Sequence, residues 1–496
     1  MRYIPMLCIF ALLGSAILTA PIRSGRRAFG ATLTVVLFTA AASALLLGWL
    51  LVGNPTGEPV AVTFAMGKFA APFGNELKLG PLQALLTTVF SFVVGLAMLG
   101  GYDDFLFDVE REKRGLYCTL LSLTLAALYV LTYTNDLFTG YVFIEISTMT
   151  ACALVMVRER GETIVATLRY LFLSLLGSGL FLIGIAMLYS TTGHLLMEPM
   201  AARIAALLSL GEYRLPLTVA AGVMMTGLGV KSALFPFHRW LKEAHGTTTT
   251  TSSAVLSGVV IKGTIVLQIT VFCRVFTLEG VHLLHLDMVM LILGLCGMVA
   301  GSVEALHQHH AKRMLACSSV AQMGYVFMGI GLASRAGLAA ACFHIIVHAL
   351  SKSLLFCSVG RLSAVSRHKK DFTLLRGSAL RDPLAGIAFT VGAMSVIGIP
   401  LFAGFTSKLN FATASVASPK ALAFTLVVIM LSTVLSAMYY LPAVTAVWSH
   451  SDEEFPPVAS DPYFNFCAVI SVALILLLGM AYTPVMEIIE LGIDLL

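Results

Sequence analysis

The stretch KSALFPFHRWLKEAHGTTTTTSSAVLSGVVIK, residues 231–262, decides the architecture. It opens on a lysine that closes an apolar run, GVMMTGLGV (222–230), and ends on a second lysine inside another apolar run. Pro236 stands five residues after Lys231, so the helix carrying that lysine breaks there. An ionisable side chain at mid-bilayer costs about 2.5–3.5 kcal/mol on insertion scales. Broken backbone at that depth is tolerated where it lines a hydrated cavity. Two lysines flanking such a break point to ion movement.

The rest of the chain sets the context. Its 496 residues are 58% hydrophobic and 11% charged. Soluble proteins carry about 25% charged residues, so most of this surface cannot face water. Apolar runs long enough to cross a bilayer recur from end to end. The expected fold is an all-α integral membrane protein of about fourteen transmembrane helices. The spans lie at roughly 3–20, 29–52, 81–101, 115–133, 137–157, 166–190, 217–238, 251–272, 284–303, 314–333, 337–358, 382–402, 421–446 and 464–484. Segment 195–212 reads as an amphipathic surface helix.

Loop charges orient these spans. Loops after odd-numbered spans carry RSGRR (23–27), REKR (111–114), RER (158–160), RWLK (239–242), KR (312–313), and Arg361 through RHKK (367–370) to Arg381. Loops after even-numbered spans hold only scattered bases such as Lys68, Lys78, Arg274 and Lys420. The bias puts both termini outside. The loop 448–463, with its acidic SDEE, departs from it. Arg23, Arg26 and Arg27 follow the first apolar run rather than precede it, so that run is expected to be an uncleaved helix. The expected divisions are 1–101 (three helices), 102–272 and 284–446 (two repeats), and 447–496 (a loop and the last span).

Several function classes fall away. The net charge of +5 is dispersed and gives no nucleic-acid patch. The nine cysteines form no CxxC, so neither an iron–sulfur set nor a disulfide framework is visible. His307, His309 and His310 are loop neighbours without the face-sharing spacing of a zinc site. No cofactor or metal is expected. The Thr247–Thr251 run reads either as a helix cap, the favoured reading, or as a set of hydroxyls donating to a water chain.

More ionisable residues lie at depth. Glu145 sits mid-helix in LFTGYVFIEISTMTACALV, and Lys262 in SSAVLSGVVIKGTIVLQ. His344, His348 and Lys352 are spaced by four and share one helix face. Lys408 follows Gly398, Pro400 and Gly404, a second set of helix breakers. Breaks at Lys231–Pro236 and Gly398–Lys408, five spans apart, imply two inverted five-helix repeats. Burial makes a lysine release its proton more readily, and a nearby carboxylate opposes that. A Glu145–Lys231 pair that opens and closes would therefore switch the proton affinity of Lys231. The proton could pass through water to Lys262, then past His348 to Lys408, with His238, His344 and Lys352 as further path candidates.

At these residues the chain resembles the antiporter-like subunits shared by respiratory complex I (NADH:quinone oxidoreductase), Mrp-type sodium/proton antiporters and membrane-bound energy-converting hydrogenases. Residues 231–262 are similar to that family's K-x-x-x-x-P-x-H-x-W-L…A-H…S-x-L-S-G-x-x-x-K. KRMLACSSVAQMGYVFMGIG (312–331), HIIVHALSKSLLF (344–356), GIPLFAGFTSK (398–408) and NDLFTGYVFIE (135–145) resemble its other segments. The resemblance implies that Glu145 and Lys231 form a switching pair, that Lys262 is the central relay, that His348 assists it, and that Lys408 is the terminal relay. It also implies a subunit without a redox centre, working with other membrane subunits in a cell membrane. Lys408, where some members carry Glu, makes it similar to the shorter Lys-bearing types, the D-like ones of Mrp antiporters or the N-like ones of complex I. Departures include Lys242 and the Thr run where the family has prolines, Val347 for an Asn, and His310 for an Asp. The alternative reading is a stand-alone secondary solute transporter, which would need a polar, aromatic-rich midplane pocket.

Overall fold

A computed structural model of the chain describes residues 1–53, 60–69, 74–211, 213–416, 419–451 and 459–496. The acidic run expected in the 448–463 loop falls largely on 452–458, outside the described residues, as do the side chains of Lys68 and Lys420.

Apolar sequence becomes helix here because a helix satisfies its own backbone groups where lipid cannot. Helices α1 (Ile4–Thr19) and α2 (Gly25–Gly48) lead into a hairpin of β1 (Val62–Ala65) and antiparallel β2 (Glu76–Leu79). Then come α3 (Pro81–Gly100), α4 (Arg114–Tyr133), α5 (Leu137–Met156) and α6 (Gly161–Thr192). The amphipathic α7 (Met197–Ser209) buries Met197, Met200, Ile204 and Leu207 at helical spacing, as expected for 195–212. The first broken helix consists of α8 (Arg214–Lys231) and α9 (Arg239–Thr247). Next are α10 (Thr250–Leu283), α11 (Leu286–Leu306), α12 (Ala311–Gly331) and α13 (Arg335–Ala364). The second broken helix is α14 (Pro383–Ile397) with α15 (Ala403–Val416). Helices α16 (Pro419–Trp448), α17 (Pro462–Met480) and α18 (Thr483–Asp494) end the chain.

Among the described residues, eleven helices are long and apolar enough to cross a membrane. The other three expected spans are α1, α8 and α14, helices of 16, 18 and 15 residues. Helices α1 and α14 are too short to count, α14 because it stops at its break and the chain resumes in α15. Helix α8 is long enough, but with Arg214 at one end and Lys231 at the break it is not apolar enough. Arg274, expected in a loop, instead lies in a π-helical turn of α10. It is buried and donates to Asn135 Oδ1 at 3.4 Å.

The layering is inside-out relative to a soluble protein. Helices α10, α12 and α13 are buried along their whole spanning windows, whereas α6, α16 and α17 are mostly uncovered. Lys262, His344, His348 and Lys352 ride on the enclosed helices, and the uncovered ones carry Leu, Ile, Phe and Val outward. Glycines let helix backbones meet. A Cβ on Gly227 of α8 would stand 2.4 Å from Gly177 O of α6, and one on Gly324 of α12 would stand 2.5 Å from Met298 N of α11. Such close approach is how helices associate where lipid offers no hydrophobic drive.

Candidate functional site: a buried row of ionisable side chains

The row begins on α5. Asp136 caps this helix by accepting from Thr139 N at 2.6 Å. Glu145 then lies one turn before Thr148. Thr148 Oγ1 accepts from Lys231 Nζ at 2.6 Å, and Glu145 is within electrostatic reach of the same amine. Glu145 Oε2 is buried without a hydrogen-bond partner. The structure thus brings Glu145 and Lys231 together without closing an ion pair between them. Lys231 is the last residue of α8, placed there by the break that follows. Trp240 Nε1 of α9 donates to Val230 O at 3.2 Å and holds the two halves together across that break.

Lys262, fully buried on α10, donates to Ser257 O. Ser257 lies in a π-helical turn, Leu256–Val260. Turns of this kind recur at functional sites. Lys352, fully buried on α13, donates to Leu315 O at 2.7 Å and to Tyr440 Oη at 3.1 Å. His348 is buried, and neither ring nitrogen has a partner. His344, one turn away, lies within electrostatic reach of both Lys262 and Lys408. Its Nδ1 meets Ser407 Oγ at 2.8 Å, next to Lys408 in the chain. Lys408 closes the row, donating to Ile397 O at 2.7 Å and Thr433 Oγ1 at 3.0 Å, with its amine 5.2 Å from the Tyr325 ring centroid.

A pattern emerges from these contacts. Among the described residues, none of Lys231, Lys262, Lys352 and Lys408 makes an ion pair. Each rests on a carbonyl or hydroxyl oxygen. Two of those carbonyls, Ser257 O and Ile397 O, sit where regular helix is interrupted. A neutral oxygen can accept from an amine whether it carries two hydrogens or three. The row therefore keeps its hydrogen bonds when a proton arrives or leaves.

Three residues of this region escape a reading of the sequence. Lys312 reads as a loop base, but it is fully buried in the first turn of α12 and donates to Thr248 O at 2.6 Å and Thr249 O at 3.2 Å. Its loop-like position in the sequence conceals this. His245 of α9 is fully buried with both ring nitrogens unpartnered and lies within reach of Lys312, Lys352 and Lys262. Glu304 Oε1 lies 3.0 Å from His238 Nε2, at hydrogen-bond distance. A lone acid in the last turn of the apolar α11 is the signal that could have found it. The Thr run behaves as a cap: Thr249 Oγ1 accepts from Ser252 N at 3.1 Å. His309 and His310 pair with the connector, where Phe372 N donates to His309 O at 3.1 Å and Ala311 N to Lys370 O at 2.8 Å.

The comparisons agree with this geometry. The family model described as NADH:quinone oxidoreductase/Mrp antiporter, TM, matches residues 134–436, which span the whole row. The chain belongs to this family. A relative, NADH-quinone oxidoreductase subunit N of Desulforudis audaxviator, is 34% identical over 385 residues, covering 76% of this chain and 73% of that protein. Two solved structures share the fold. One is a chain of the membrane-bound sulfane sulfur reductase, an archaeal respiratory membrane complex, with TM-score 0.86, 24% identity, and coverage of 99% of this chain and 97% of that one. The other is a chain of the Mrp complex from Dietzia sp., with TM-score 0.84, 22% identity, and the same coverage. This member of the antiporter family is a multi-pass membrane protein.

Proposed function

We propose that the chain is a proton- or sodium/proton-translocating antiporter-like subunit of a multisubunit complex in the cell membrane. Glu145 with Lys231 is the switch, Lys262 the central relay, and Lys408 the terminal one. His348, His344 and Lys352 fill the interval between relays, and His238 serves the cytoplasmic approach. The two five-helix units, 102–272 and 284–446, each place one break in the row. The observation that carries the reading is the seating of four buried amines on neutral oxygens, with no ion pair among the described residues, Lys262 and Lys352 on enclosed helices and Lys231 and Lys408 on the two broken ones. A structural ion pair would lock a charge in place. This arrangement leaves each amine free to change charge. Membership of the family and the likeness to subunits of respiratory and Mrp complexes support partners in the same membrane.

Inverted vesicles containing the assembled complex test this. Lys231→Ala or Glu145→Ala should abolish ion pumping or exchange, and Lys408→Ala should slow it. Thr249→Ala should cost about 0.5–2 kcal/mol of local helix stability and leave transport intact. Full transport in both the Lys231 and Glu145 variants would rule the switch out.

A further inference from the structure

A cleft on the basic, cytoplasmic side of the molecule stands apart from the row. It has a volume of about 220 Å³ and lies between the α5–α6 loop, the Thr run and the connector after α13. Arg158, Arg160, Lys369 and Lys370 line it against two carboxylates, Glu162 and Asp371. Arg158 is the fixed wall: it is paired with Asp108 at 3.0 Å and donates to Thr247 O at 3.2 Å. Among the described residues, Arg160, Lys369 and Lys370 form no ion pair. Two buried nitrogens of the lining, Arg158 Nε and His310 Nδ1, have no hydrogen-bond partner.

The start of α6 opens into the same cleft through Glu162 and Thr163. This helix runs for 32 residues, and its first turn presents backbone N–H groups and the positive end of the helix dipole. Cations, unpartnered nitrogens and a helix start converge on one small volume. That is the chemistry of a phosphate site.

The surroundings say which phosphate. A second cleft of about 430 Å³ shares Glu162 and Thr247 with the first and adds Val165 and Ala166, the cations Lys242 and Arg313, and Glu243, which is paired with Arg169 of α6. From there Val165, Leu168 and Phe172 continue along α6, exposed by 49%, 46% and 68%, in one stripe on the membrane-facing side. A free phosphate ion has no use for an apolar rail leading away from its site. A phospholipid has a headgroup for the cleft and acyl chains for the rail. Basic pockets between membrane helices at the cytoplasmic surface suit anionic headgroups.

We propose that the Arg158–Arg160–Lys370 cleft binds the phosphate headgroup of an anionic phospholipid whose acyl chains lie along α6. The site is separate from the ion path, and the proposal does not depend on that path carrying protons.

The test uses the purified, delipidated complex and phosphatidylglycerol against phosphatidylcholine, read by native mass spectrometry. Wild type should retain phosphatidylglycerol preferentially. Arg160→Gln with Lys370→Gln removes two cations and should weaken that retention by about thirtyfold, whereas Arg203→Gln, exposed on α7 beyond the other end of α6, should leave it unchanged. If the double variant does not assemble, each single variant should give about a fivefold loss. Equal retention of both lipids, or an unchanged preference in the variants, would overturn the proposal. Displacement of phosphatidylglycerol by millimolar inorganic phosphate would assign the cleft to the free ion instead. Cross-linking from position 160 to another subunit in place of lipid would assign it to a protein contact.

Discussion

Gly398→Ala tests the role proposed for Lys408 as the terminal relay without removing a titratable group. Gly398 sits at φ +90° in the break between α14 and α15. Holding alanine there costs about 1–3 kcal/mol of backbone strain. The new Cβ would also stand 2.9 Å from Lys408 Cδ, 3.3 Å from Cε and 3.5 Å from Nζ. The flexible lysine gives way before the backbone does, and its amine leaves Ile397 O. A hydrogen bond from a charged donor is worth about 1.5–3 kcal/mol, a factor of roughly ten to a hundred in the population of the seated amine. Transport in inverted vesicles should therefore fall by about tenfold or more at wild-type amounts of complex. Gly398→Asn separates the two causes, because Asn adopts positive φ more readily yet brings the same Cβ. Recovery with Asn would assign the defect to strain; continued loss would assign it to the displaced lysine. If both variants transport at the wild-type rate while Lys408→Ala does not, the seat at the break is irrelevant and the reasoning fails.

Two further outcomes concern stability. Burial, helped by the charges of Lys312, Arg313 and Lys370, pushes the His310 imidazole down from 6.5 to about 3. Between those values the unfolded chain binds more protons than the folded one, so stability falls as the pH drops below about 6.5. Hydrogen exchange at Ala311 and Phe372, corrected for its intrinsic rate, should speed up as pH falls through this window, and His310→Asn should flatten the response; unchanged protection in the native protein would contradict it. Gly227→Ala drives a Cβ to 2.4 Å from Gly177 O and 2.7 Å from Phe181 N, both backbone, and should cost about 1–3 kcal/mol in a denaturation midpoint. Gly179→Ala meets nothing within 4 Å and is the neutral comparison.

The spans, the two breaks and most of the row were legible because each leaves a mark in sequence. Lipid demands long apolar runs, Pro236 and Gly398 announce interrupted helices, and a lysine inside an apolar run stands out against its neighbours. Lys312 left no such mark, since a lysine at a helix start looks like any loop base until the fold turns it inward. His245 sat within a quoted motif, yet nothing in its neighbours showed that three buried lysines would surround it. Helical periodicity gave little help with α10, α12 and α13, because a helix enclosed on all sides has no lipid face to read.

What sequence could least supply was the acceptor for each amine. Backbone carbonyls belong to every residue, so no residue type advertises Ser257 O or Ile397 O as a lysine's partner. They become available only because a π-helical turn and a broken helix loosen the regular ladder at those points. The same two irregularities that weaken the helices therefore provide seats that hold an amine without fixing its charge. A carboxylate in either place would bind the ammonium form far more strongly than the neutral amine and trap the proton. Along the row Glu145 is the exception: one of its oxygens is buried and unpartnered, while the Lys231 amine rests on Thr148. Under the proposed function, control of transport belongs at this end, where moving one carboxylate or one amine would change how tightly the first proton of the row is held.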